Sequence, residues 1–111
     1  MEHPSPELFE EIVEALGEPL MFVDTEHMIR YMNAAALAHY RQGAALLGTS
    51  LLDCHNEKSQ ALLREIYARL EAGETEVLYG EKPEVRLYMR AVRDPQGQMI
   101  GYIERRERRG E

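Results

Sequence analysis

Apolar residues follow helical spacing near the start of this chain, break into short runs, regain helical spacing mid-chain and end in alternation. Ser5-Pro6-Glu7 has the form of a helix start: a capping hydroxyl, a proline that presets φ, and an acid at the positive dipole end. Leu8, Phe9, Ile12, Val13 and Leu16 then share one face, with Glu7, Glu10, Glu11 and Glu14 opposite, until Gly17 and Pro19 stop the helix. Leu20-Met21-Phe22-Val23 and Met28-Ile29-Arg30-Tyr31-Met32, separated by four polar residues, predict a β-hairpin. Asn33 caps a short helix from Ala34 to about Tyr40, in which Leu37 and Tyr40 share a face. Ala44 to Leu47 predicts another helical turn before Gly48, and Thr49 to His55 reads as irregular. Asn56 caps the longest helix, apolar at Leu62, Leu63, Ile66, Tyr67 and Leu70 and stopped by Gly73.

Beyond Gly73 the period is two. Thr75 to Tyr79 predicts a strand, followed by a loop at Gly80 to Pro83. Val85, Leu87, Met89 and Ala91 alternate with Arg86, Tyr88, Arg90 and Val92, which gives the next strand one apolar face. Asp94-Pro95-Gln96-Gly97 is a turn by composition, and a last strand runs from Gln98 to about Arg105. Five antiparallel strands with helices grouped after the second define an α+β domain, helices on one sheet face, preceded by an amphipathic helix. The expected division is an N-terminal docking helix over 1–18, a core over 19–105, and a charged tail or linker start over 106–111.

Composition narrows the class. The 111 residues suit one domain, and a single cysteine excludes an internal disulfide or a four-thiolate metal cluster. No apolar run approaches the roughly 18 residues of a spanning helix, and the start lacks the pattern of a signal peptide, so a cytoplasmic, non-membrane protein is expected. The net charge of −7 is uneven: residues 1–18 carry six Glu and no base, and 104–111 carry four Arg against three Glu. This acidic balance argues against direct nucleic-acid binding, and the Arg/Glu tail reads as a solvated helix or linker.

Three segments in order resemble the PAS sensor domains. Asp24 to Ala36 resembles their opening, where Asp, Ile, Asn and Ala recur at this spacing; Leu46-Leu47-Gly48-Thr49-Ser50-Leu51 resembles the segment before their long helix. Arg93 to Gly101 is similar to their last hairpin, with Gly97 and Gly101 entering the final strand. Together these span about residues 8 to 106. Cys54-His55-Asn56-Glu57-Lys58-Ser59 is further similar to the Cys-His-x-x-Lys-Ser segment of PAS domains beside hemerythrin-like domains in some bacterial proteins, with Asn-Glu here in place of Pro-Pro. The resemblance implies a sheet and long helix enclosing a small cavity, whose state passes through flanking helices to an effector or a dimer mate. It names no ligand.

The cavity candidates are Cys54, His55, Tyr40, Ile66, Leu87, Met89 and Tyr102. Cys54-His55 could ligate haem or a metal, or form a redox-responsive thiol beside an imidazole, against the plainer reading of a buried small hydrophobe beside a helix start. In haem PAS sensors the proximal histidine lies inside the long helix, which here contains no His. The Gly-x-Asn-Cys-Arg-Phe signature of flavin-binding light sensors is missing, and the chain has no Trp, which argues against flavin. His27 and His39 read as exposed and His3 as terminal; no phosphate loop or His-Glu-x-x-His motif occurs, so a non-enzymatic module is expected.

The expected function is a sensory module that binds a small ligand or cofactor internally and signals through a homodimer formed by Leu8, Phe9, Ile12, Val13 and Leu16. The cofactor is unassigned, and an effector domain or partner protein receives the signal. Two alternatives stand: a haem gas or redox sensor using His55 or Cys54, and a ligand-free interaction module whose cavity is filled by Leu37, Leu62, Ile66, Leu87 and Met89.

Overall fold

Capping residues and glycines set the element boundaries. The computed structural model describes residues 5–109, the Cys54 side chain excepted. The order is α1 (Pro6–Glu14), β1 (Met21–Asp24), β2 (Ile29–Met32), α2 (Ala34–His39), 3₁₀ turns at Gly43–Leu46 and Leu51–Cys54, α3 (Glu57–Glu71), β3 (Glu76–Glu81), β4 (Val85–Arg93) and β5 (Met99–Arg108). Each predicted cap forms: Ser5 Oγ accepts from the Leu8 amide at 3.2 Å, Asn33 Oδ1 from Ala36 at 2.9 Å, and Asn56 Oδ1 from Ser59 at 2.9 Å. Asn33 is fully buried and also joins segments, accepting from the Leu20 amide and donating to the Glu18 carbonyl. With three local and long-range groups satisfied by one side chain, its burial costs little.

The strands form one antiparallel sheet in the order β2-β1-β5-β4-β3, so the last strand lies at its centre. Register sorts the faces. Met21, Glu104 and Met89 are cross-strand partners, as are Val23, Tyr102 and Ala91, and these rows look toward the helices. Phe22, Ile103 and Arg90 lie on the opposite face. Leu63, Ile66 and Leu70 of α3 close the core over Val77, Met89 and Tyr102. Gly101 makes the β1–β5 approach close: a Cβ there would overlap the Val23 carbonyl oxygen and the Phe22 ring.

Several expectations change. β3 continues through Gly80 and Glu81, past its expected end at Tyr79, by taking a bulge between Leu78 and Gly80. The segment 51–54, read as irregular, is a 3₁₀ turn, and Met28 bridges Ser50 beside it. Arg106–Arg108, expected to start a tail or linker helix, complete β5 against Val85–Leu87. Their alternating charges are met across strands, as in Arg86–Glu107 at 3.4 Å, instead of by apolar burial. Leu62, placed among the apolar positions and cavity fillers, is 45% exposed because it sits at the edge of the α3 stripe. In α1, Leu8, Phe9, Ile12 and Leu16 are exposed and Val13 is half-buried, so the sheet of its own chain does not cover this stripe. Among the described residues no helix is long and apolar enough to cross a membrane.

Candidate functional site

A cavity of about 240 Å³ lies between the central sheet and the segment joining α2 to α3, lined by Met21, Ile29, Tyr40, Gln42, Leu46, Leu51, His55 and Glu104. Two of the sequence candidates, Tyr40 and His55, line it. Ile66, Met89 and Tyr102 instead belong to the solid core, at 2%, 1% and 2% exposure. Leu87 is half-buried against Gly80. Cys54 closes the second 3₁₀ turn, and its side chain lies outside the described residues. None of the lining residues comes from α3, so the long helix packs the core and leaves the cavity to the α2–α3 connection.

The residue that sequence reading missed is Glu104. Its row neighbours on either side are Met21 and Met89, so a carboxylate stands in an otherwise apolar stripe. The Tyr40 hydroxyl donates to Glu104 Oε2 at 2.8 Å, and the Tyr79 phenol lies in the field of the same carboxylate. Burial, followed by the Glu104 charge, pushes both phenols well above the ordinary tyrosine range, so they stay protonated donors. Among the described residues Glu104 makes no ion pair. Arg106, next along on the same face, is turned to His39, with Nη1 and Nε2 2.9 Å apart. The available signal was the period of two running inward from Tyr102 through Glu104; counting Glu104 with the charged tail concealed it.

His55 is held from both sides. Its Nδ1 lies 2.8 Å from the Leu51 carbonyl oxygen, and its own carbonyl accepts from Gln60 Nε2 at 2.9 Å. A carbonyl oxygen can only accept, so the proton sits on Nδ1 and Nε2 keeps its lone pair. That tautomer suits a metal ligand. The space does not suit haem: 240 Å³ falls below the ~300–1,000 Å³ of pockets for drug-sized ligands, and the macrocycle exceeds those.

His27, read as exposed, is a partly buried wedge. Its ring meets Tyr67 edge-on at 4.8 Å and Tyr102 at 6.0 Å, and Nδ1 is 3.0 Å from the Tyr102 hydroxyl. It takes a positive φ of 65°, which the hairpin tolerates because Asp24 Oδ1 accepts from the Glu26 and Met28 amides on both sides. Burial, and then the Arg64 charge, holds this imidazole below the usual histidine value. His39 is exposed, as expected.

A central antiparallel sheet, a long covering helix and a small cavity beside their connection define the α+β architecture of this domain. A family model described as the PAS fold matches residues 13–107, and the chain belongs to the PAS family. Three solved structures share the fold. A C-terminal domain from Streptococcus mutans superposes with a TM-score of 0.80 at 21% identity, covering 95% of this chain and 85% of that one. A sensory box sensor histidine kinase from Vibrio cholerae gives 0.66 at 15% identity, covering 95% and 92%. The Aer2 receptor of Vibrio cholerae, described as a dual PAS-heme oxygen sensor, gives 0.59 at 23% identity, covering 81% and 92%. No curated protein sequence matches the chain.

Proposed function

We propose that this PAS domain is a cytoplasmic, non-enzymatic sensor that binds a small molecule in the Glu104–Tyr40 cavity and relays occupancy to α1. One observation carries the reading: the half-buried Glu104 carboxylate, bound by the Tyr40 hydroxyl, faces with His55 and Gln42 a cavity otherwise walled by Met21, Ile29, Leu46 and Leu51. A few placed polar groups in an apolar concavity are what orient a small ligand. Membership of a sensory family supports it.

A physical route for the relay exists. Tyr40 caps α2 and holds Glu104 on β5, while the Ala34 amide at the other end of α2 donates to both carboxylate oxygens of Glu14 in α1, at 2.9 and 3.1 Å. A ligand that competes for Glu104 therefore pulls on the helix that also anchors α1. Its exposed stripe of Leu8, Phe9, Ile12 and Leu16 then meets a second copy, which makes the homodimer the output state. An effector domain or partner protein would read the dimer.

Denaturing mass spectrometry of freshly purified protein tests the reading. A stoichiometric small molecule released on denaturation supports it; an empty protein that takes up no small molecule contradicts it. Light scattering checks the dimer: the wild type is dimeric at micromolar concentration, and Ile12→Glu shifts it to monomer. The haem alternative keeps one favourable observation, the fixed His55 tautomer, and requires the cavity to open; a Soret band lost on His55→Ala would support it.

A further inference from the structure

If the cavity is a ligand site, as read above, its chemistry limits what it takes. Glu104 is flanked by methionines, has no ion pair among the described residues, and receives a hydroxyl donor from Tyr40. An ionised carboxylate offers about four acceptor positions, and the Tyr40 hydroxyl occupies one of them. His55 adds another acceptor, since its Nδ1 proton is committed to the Leu51 carbonyl. Arg106, next along the face, contacts His39 and forms no ion pair with Glu104, although its charge reaches the Tyr40 and Tyr79 phenols. The polar side of the cavity, Glu104 and His55 with the Gln42 amide, thus centres on a carboxylate with open acceptor positions, while Met21, Ile29, Leu46 and Leu51 form an apolar side. The volume of 240 Å³ equals that of about eight liquid water molecules.

We propose that the cavity selects a small organic cation, a primary ammonium or amidinium on a compact apolar body. Its N–H donors fill the open acceptor positions of Glu104, and its body lies against Met21, Ile29, Leu46 and Leu51. Charge-assisted hydrogen bonds in a partly dry site are the strong ones, so selection falls on the charged head more than on shape. An anion of equal size meets the Glu104 charge, and a neutral alcohol of equal size loses the charge attraction.

Calorimetry with three near-isosteric probes tests this: benzylammonium, benzyl alcohol and benzoate at pH 7.5. The expected result is benzylammonium binding at least tenfold tighter than benzyl alcohol, with benzoate weakest. Glu104→Gln should weaken benzylammonium at least tenfold and leave benzyl alcohol within about twofold. Tyr40→Phe keeps the carboxylate and should retain the cation preference, which serves if Glu104→Gln does not fold. Benzyl alcohol or benzoate binding as tightly as benzylammonium overturns the cation assignment and leaves the ligand cavity standing. No binding by any of the three overturns the cavity reading together with this one.

Discussion

Two glutamates on opposite faces of one sheet meet their charge in different ways. On the outer face, Glu76 takes two hydrogen bonds of 2.8 Å from Arg105, with Arg90 at 3.5 Å. Arg105 also lies over the Tyr88 ring, 4.3 Å from its centroid. On the inner face, Glu104 has the Tyr40 hydroxyl as donor and no ion pair among the described residues. A bidentate guanidinium consumes the carboxylate's charge within the fold, whereas hydroxyls orient a carboxylate and leave its charge in place. Glu76 is thus neutralised within the fold, while Glu104 keeps its charge without an ion-pair partner among the described residues. Both depend on β5, which carries Arg105 outward and Glu104 inward on successive residues.

The largest disturbance should come where β5 approaches β1. Gly101→Ala forces a Cβ into the Val23 carbonyl and the Phe22 ring, displacing both carboxylate environments at once. A loss of about 2–3 kcal/mol in denaturant unfolding is expected, as for overpacked cores. Next is the inner acid alone. Tyr40→Phe removes one charge-assisted bond to Glu104 and should cost about 1–2 kcal/mol by the same measurement. On the outer face the effect is smaller: Arg105→Met should cost about 0.5–1 kcal/mol, because Arg105 retains 35% of its side-chain exposure.

Acidity separates the same groups by pH window. The Arg105 hydrogen bond holds the Glu76 carboxyl below its ordinary 4.5. Its stabilising contribution is therefore complete above that value and is lost as pH falls through the lower folded one. Arg105→Met should flatten the decline in melting temperature below pH 4.5. His27 behaves alike in a higher window, because burial and Arg64 depress it from 6.5 and the fold favours neutral imidazole. Stability should be level above pH 6.5 and slip below it, with the least change of the set, and His27→Gln should remove that slope.

Elements governed by local chemistry were legible in the chain. The three helix caps, the Asp94–Gly97 turn, where Asp94 Oδ1 accepts from the Gln96 and Gln98 amides, and the apolar row of β4 all follow from residue types a few positions apart. Features that depend on a distant strand were not. The end of β5 reads as linker because its charges lie next to one another in sequence, yet in register they meet Val85–Leu87. Glu104 acquires its role only when β5 is placed between Met21 and Met89. His27 looked exposed as a hairpin residue, until Tyr67 and Tyr102 closed around it. Of the residues named for the cavity, Tyr40 and His55 line the one described here, whereas Ile66 on α3 and Met89 on β4 are packed into the core, because core and lining residues share the same apolar signature.

The central claim is that the Glu104 cavity receives a ligand and that α2 carries the consequence toward α1. Amide NMR with benzylammonium tests it most directly. The predicted result is a set of shifts centred on Met21, Gln42, Leu46, His55 and Glu104 that extends to the Ala34 amide at the α1–α2 contact. Shifts gathered instead around the cleft of Thr25, Glu71 and Gln98, or no shifts with benzylammonium, benzyl alcohol or benzoate, would contradict it.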